Sequence, residues 1–148
     1  MIISTSELSS LAGQVTMVDG SFDPLHEGHV AYFKAASKLG IPVLCNIAAD
    51  AWTSSKHPVL LSQSQRAQVI DAVRYVDYVH LSNTTTLDVL TLLKPKIYAK
   101  GKDWLERGGI PVAERMACEK NHIEVQYLDT VLNSSSQLLR QWNLSEPK

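Results

Sequence analysis

His26 and His29 flank Gly28 in the string Gly20-Ser21-Phe22-Asp23-Pro24-Leu25-His26-Glu27-Gly28-His29. Taken alone, such a pair could bind phosphate, bind a metal or simply sit on a surface turn. The setting selects among these. Val15 to Val18 is a short apolar, β-branched run that suits a buried strand. Gly20, Asp23 and Pro24 break the strand, and a helix is expected to begin near His26 to Gly28. Tyr32, Phe33, Ala36 and Leu39 then fall within an arc of about 120°, as an amphipathic helix requires. His29 therefore belongs to the first helical turn and His26 lies just before it. A helix N-terminus exposes backbone N–H groups and the positive end of the dipole, and Gly28 has no Cβ to keep an anion away. The chemistry that fits is phosphate binding.

The rest of the chain must position that turn. Ser6 to Leu11 reads as a short leading helix ending at Gly13. Pro42 to Ala49 is a second buried strand whose carboxyl end carries Asp50. Ala51 to Leu61 has no clean period and reads as a loop. A helix from Ser62 or Ser64 is expected to turn Val69, Ile70 and Val73 inward. Tyr78 to Leu81 is a third strand, and Asn83 to Thr86 caps a helix over Leu87 to Leu93 that Lys94-Pro95 stops. Ile97 to Ala99 and Ile123 to Leu128 supply further strands around a helix from Val112 to Lys120. A last helix opens at Ser134-Ser135-Ser136, with Leu138, Leu139 and Trp142 on one face.

Apolar strands alternating with helices predict an α/β fold, a Rossmann-like, doubly wound parallel sheet of about five strands with helices on both faces. Ligands of such sheets lie beyond the carboxyl ends of the strands. Gly20 to His29, Asp50 to Lys56, Lys100 to Trp104 and Asn133 to Ser136 each follow a proposed strand, so all four are expected to meet at one edge. Neither GxGxxG nor GxxxxGK[ST] is present, which excludes the usual nicotinamide and P-loop sites.

The string Gly20 to His29 resembles the GxFDxxHxGH signature of the cytidylyltransferase-like nucleotidyltransferases. Arg74-Tyr75-Val76-Asp77 is similar to the RxVD element of glycerol-3-phosphate cytidylyltransferases. Lys94 to Trp104, reading KPKIYAKGKDW, resembles the KPDxxVKGGDY segment of heptose-1-phosphate adenylyltransferases, and Ser134 to Leu139 corresponds to their STTxII element. The resemblance implies transfer of AMP or CMP from an NTP to a phosphorylated sugar or alcohol, with release of pyrophosphate and with Mg2+ accompanying the NTP. It assigns catalysis to His26, His29 and Lys56. It assigns nucleotide and phosphate binding to Gly20, Phe22, Asp23, Gly28, Ser134, Ser135 and Ser136. Lys100, Asp103, Trp104 and Arg74 would face the acceptor or the ribose, and no metal ligand is specified. Arg66 reads equally well as a ligand or as a structural ion-pair partner, and His57, His80 and His122 read as structural or solvent-facing. A homodimer is implied by the same resemblance.

Two departures bear on substrate. Lys102 replaces a family glycine, placing a cation either beside the acceptor pocket or in solvent. Asp129 to Asn133 lacks the arginine of the RTEGIS segment, which weakens a glycerol-3-phosphate cytidylyltransferase reading. Two further rivals are a class I aminoacyl-tRNA synthetase core, for which a clear KMSKS loop is missing, and a non-catalytic nucleotide-binding module. At 148 residues the chain suits one domain over 1–148, with 1–14 as a leading segment. A net charge of −1 argues against nucleic acid as the main partner. Cys45 and Cys118 read as free thiols of a reducing cytosol. No signal peptide or membrane span is expected, so the reading is cytoplasmic.

Overall fold

The computed structural model describes residues 1–130 and 135–145. The chain opens with β1 (Ile2–Ile3) and a 3-10 helix (Thr5–Leu11), followed by β2 (Thr16–Gly20), α1 (Glu27–Ser37) and β3 (Val43–Ile47). Then come α2 (Asp50–Ser54), α3 (Gln63–Asp71), β4 (Tyr78–Leu81), α4 (Thr86–Leu93) and β5 (Ile97–Gly101). The described part ends with α5 (Lys102–Glu106), α6 (Val112–Lys120), β6 (Glu124–Leu128) and α7 (Ser135–Ser145).

The strands form one parallel sheet in the order β1-β4-β3-β2-β5-β6. The order reverses at β2, between β3 and β5, where the crevice of an open α/β sheet forms. Register shows why the central strands are largely apolar. Val18 opposite Cys45 faces one core cluster, with Tyr32, Phe33 and Ala36 of α1 and Ala67 and Ile70 of α3. Met17, opposite Leu44 and Tyr98, faces the other, with Val89, Leu90 and Leu93 of α4 and Cys118 of α6. Both faces of the central strands are covered, so Asp19, Asn46 and Lys100 come near their carboxyl ends, whereas edge strand β6 keeps Glu124 exposed. The two cysteines are buried free thiols in opposite clusters.

Three details depart from the expected elements. The sheet has six strands, because Ile2 and Ile3 pair with Val79 and His80, a contact too short to show as a pattern. The stretch after Asp50 is not all loop. Asp50 to Ser54 forms a helical turn that buries Thr53, whose hydroxyl donates to Ser21 Oγ at 3.0 Å. In α3 the inward face is Arg66, Ala67 and Ile70, whereas Val69 is 45% exposed. A charged residue sets the phase of that helix, and an apolar pattern does not register it.

Arg66 is wholly buried, and its hydrogen bonds explain why. Nε donates to Leu61 O at 3.0 Å, Nη1 to Ser21 O at 2.6 Å and Ala48 O at 3.0 Å, and Nη2 to Asp50 at 2.6 Å. The guanidinium is thus a structural tie between loops and does not line the cleft. Replacing Arg66 with methionine keeps the stem but strands those carbonyls without a donor. Urea denaturation should show a loss of about 3 kcal/mol or more; a loss below about 1 kcal/mol would mean that the loops hold themselves.

Candidate active site

The crevice beyond β2 and β5 is a cleft of about 670 Å³ lined by Gly20, Phe22, His29, Lys56, Lys100, Asp103, Trp104 and Ser135, among others. Segments after β2, β3 and β5 and the first turn of α7 all reach it, as the sheet-edge rule requires. Asn133 and Ser134 lie outside the described residues, as does the side chain of Ser136.

The first turn of α1 is closed by imidazoles in place of the usual Ser and Glu. His26 is the N-cap, and its Nδ1 accepts from Gly28 N at 3.1 Å, while His29 Nδ1 accepts from His26 N at 3.3 Å. An acceptor Nδ1 places the proton of a neutral ring on Nε2. The rings stack with centroids 3.8 Å apart, and Phe22 meets His29 edge-on at 5.0 Å. Burial, and secondarily the neighbouring His26, pushes the His29 pKa down to about 3. His29 is therefore a neutral Nε2–H donor at ordinary pH. It lines the cleft directly; His26 stands behind it as cap and stacking partner.

Gly20 and Phe22 shape this turn. Phe22 has a left-handed backbone, φ 53°, yet its ring is buried in the core. A Cβ on Gly20 would come within 3.1 Å of that ring, so glycine lets the aromatic fold back over the strand end. Asp23 does not face the cleft as expected. Its two carboxylate oxygens accept from Leu60 N at 2.7 Å and Leu61 N at 2.9 Å, pinning the loop that carries Lys56. The Gly28 amide is likewise directed to His26.

Lys56 leans over Trp52, 5.4 Å from the ring centroid, at the cleft mouth. Desolvation, and then the nearby cations Lys100 and Arg107, lower its pKa. Lys100 is buried, 2.7 Å from Asp19 Oδ1 and 4.5 Å from the Trp104 ring centroid. Arg107 lies 4.7 Å from the same ring and pairs with Asp103 at 2.7 Å. Ser135 Oγ donates to Pro24 O at 2.9 Å, which ties α7 to the histidine turn.

Arg74 is not part of the site. It is exposed, packs on Tyr75 at 5.2 Å and precedes β4, where Asp77 accepts from Val43 N at the start of β3. The whole Arg74 to Asp77 element therefore closes the amino edge of the sheet, away from the cleft. Lys102 also leaves the cleft, pairing with Asp129 at 2.8 Å. Sequence reading missed Asp19, Tyr98, Thr86, Glu114 and Arg107, all of which line the cleft. Asp19 was within reach: it is the penultimate residue of β2 and so lies at the sheet edge that binds ligands.

Residues 17–141 match the profile of the cytidylyltransferase-like family. The chain belongs to that family. Bifunctional protein HldE of Trichlorobacter lovleyi is 37% identical over 100 residues, covering 64% of this chain and 20% of that protein. The FAD synthase of Pyrococcus horikoshii is 35% identical over 91 residues, covering 59% of this chain and 62% of that one. The chain thus spans about a fifth of the length of the HldE relative. In fold it is similar to a lipopolysaccharide core biosynthesis protein from Thermoplasma volcanium, with a TM-score of 0.66 at 21% identity over 80% of this chain and 98% of that one. It also resembles pantothenate synthetase from Thermus thermophilus, with a TM-score of 0.64 at 14% identity over 93% and 66%. Among the described residues of this cytidylyltransferase-like chain, no helix is long and apolar enough to cross a membrane.

A neutral His29 makes stability depend on pH with a definite sign. The folded pKa, about 3, lies below the ordinary 6.5, so the unfolded chain binds the proton first as pH falls. The His29 contribution is intact above pH 6.5 and is lost as pH falls from there toward 3. The slope approaches about 1.4 kcal/mol per pH unit. Urea midpoints between pH 7.5 and 4.5, compared with His29→Asn, should show wild type losing its advantage on acidification. A constant difference would place His29 in a solvated, chargeable state.

Proposed function

We propose that this chain transfers AMP from ATP to the phosphate of a phosphorylated sugar, most simply a sugar 1-phosphate, and releases pyrophosphate. The observation that carries the reading is a neutral His29 N–H donor inside a cleft that also gathers Lys56, Lys100 and Arg107 at the sheet crossover. Such a site suits a reaction between anions. The nucleophile is a phosphate oxygen, already ionised at neutral pH, which needs no strong base. It forms a bond to the α-phosphorus while the bond to the bridging oxygen breaks and its electron pair leaves with pyrophosphate. The protein's part is to hold the two anions in line and stabilise charge growing at the α-phosphate.

In this reading His29 Nε2–H donates to an α-phosphate oxygen, and His26 fixes the ring that does so. Lys56 and Ser135 hold the β- and γ-phosphates. Asp103 and Trp104 border the ribose, and Lys100 lies between nucleotide and acceptor. The cleft carboxylates are already bonded: Asp19 to Lys100, Asp103 to Arg107 and Glu114 to Tyr98. That donor set fits a magnesium ion held by phosphate oxygens and water rather than by a protein cage. When bound it would neutralise part of the triphosphate charge. A cytoplasmic homodimer completes the proposal.

Adenylyl transfer is favoured by the resemblance of Lys94 to Trp104 to the adenylyltransferase segment and by the FAD synthase relative, whose product carries an adenylyl group. The Arg74 to Asp77 element lies at the far sheet edge and carries no information on the base. Transfer of CMP to glycerol 3-phosphate is the second reading, weakened by the missing arginine before Ser134.

Pyrophosphate release with Mg2+, ATP or CTP, and a panel of phosphorylated sugars and alcohols tests the proposal; no release with any combination overturns it. His29→Ala should lower kcat by about 10²–10³ with little change in nucleotide affinity. Ser135→Ala should raise KM for the NTP while Tm barely moves, and unchanged kinetics would reduce Ser135 to its bond with Pro24. Separate calorimetric titrations with ATP and CTP decide the base: CTP binding without ATP binding moves the assignment to cytidylyl transfer.

A further inference from the structure

The cleft has two unlike sides. His29 and Phe22 lie on the α1 side of the sheet. On the α4 and α6 side, Asp19 and Glu114 converge on one phenol: Tyr98 Oη lies 3.2 Å from Asp19 Oδ1 and 2.9 Å from Glu114 Oε1. A phenol has one proton, so it donates to only one carboxylate at a time. Asp19 has other donors, Thr86 Oγ1 at 2.7 Å and Lys100 Nζ at 2.7 Å. Glu114 makes no ion pair among the described residues, and burial raises its pKa. Among the described residues, these two carboxylates thus share one ammonium, the Thr86 hydroxyl and a single phenol proton, which leaves acceptor capacity unused. Asn46, Thr86 and neighbouring hydroxyls complete the lining on this side. Lys102, the cation that could have drawn a second anion here, is paired with Asp129 instead.

A group entering this side must supply donors and bring no negative charge. We infer that Asp19 and Glu114 determine acceptor specificity: they accept hydrogen bonds from the hydroxyls of an uncharged polyol or sugar body. Acceptors with a carboxylate or second phosphate at that end are excluded by like-charge repulsion. The acceptor's single phosphate then lies toward His29. This inference rests on the nucleotidyl-transfer reading and narrows its substrate class.

The test uses matched acceptor pairs that differ in one anionic group: glycerol 3-phosphate against 3-phosphoglycerate, and an aldose 1-phosphate against the corresponding uronic acid 1-phosphate. Binding is measured by calorimetry in the presence of α,β-methylene ATP or its CTP counterpart, and pyrophosphate release is measured in parallel. In at least one pair the neutral-bodied member should bind at least about tenfold tighter. Glu114→Gln keeps the shape and a hydrogen-bonding amide but removes the charge. It should narrow the gap within that pair by about tenfold, with Tm unchanged. Asp19→Asn should narrow it too, but also releases Lys100, so the Glu114 variant decides. Equal or tighter binding of the anionic member, binding of neither member in every pair, or a gap that Glu114→Gln leaves intact overturns the inference. Neutral-bodied preference without pyrophosphate release would sink the transfer reading alone, whereas release without preference would sink this inference alone.

Discussion

Where the loops after β2 and β3 meet the loop before α3, a guanidinium with no exposure to water joins them. Arg66 donates to Ser21 O from the histidine turn, Ala48 O from the end of β3 and Leu61 O from the lysine loop, and it ends on Asp50. Burying a cation is expensive unless its donors are used, and here every loop supplies a carbonyl that would otherwise be stranded. Asp23 provides the complementary half, accepting the Leu60 and Leu61 amides. One buried cation and one buried anion thus fix the backbone that aims Lys56 and His29 into a common cleft.

The electrostatics of that cleft follow from burial. Histidines facing a triphosphate could in principle be charged, but two stacked rings packed against Phe22 would have to bring the charge into a poorly solvated pocket. Desolvation prevents it, so His29 acts as a hydrogen-bond donor rather than a cation. Positive charge is supplied instead by Lys56, whereas Lys100 is balanced by Asp19 and Arg107 by Asp103. In the proposed transfer, such a neutral donor would stabilise developing charge without locking the ground-state anions in place.

The likeness to solved structures at 14% and 21% identity is one of sheet and crossover, not of side chains. Strand order and the reversal beside β2 create a crevice whatever occupies the loops. On that frame this chain builds an acidic, hydroxyl-lined side from Asp19, Thr86, Tyr98 and Glu114.

Several features were legible without coordinates because they are local. The strands read as continuous apolar runs because both sheet faces are covered, and the helix starting at His26 and Gly28 is written in consecutive residues. So is the stop at Lys94, which takes a left-handed backbone. Features set by residues far apart in sequence were not legible. Val69 reads as core by type, yet Arg66 holds the inward position because carbonyls from three loops converge there. Asp23 reads as a ligand by motif, but its carboxylate meets amides 37 and 38 positions away. Arg74 sits at the wrong end of the sheet, and the Asp19–Lys100 pair spans 81 positions. Composition and periodicity determined that there would be a parallel sheet and a strand-to-helix turn carrying His26 and His29. Which side chains meet at its edge was decided only by strand order, because pairing across the crevice depends on tertiary contacts that no local pattern encodes.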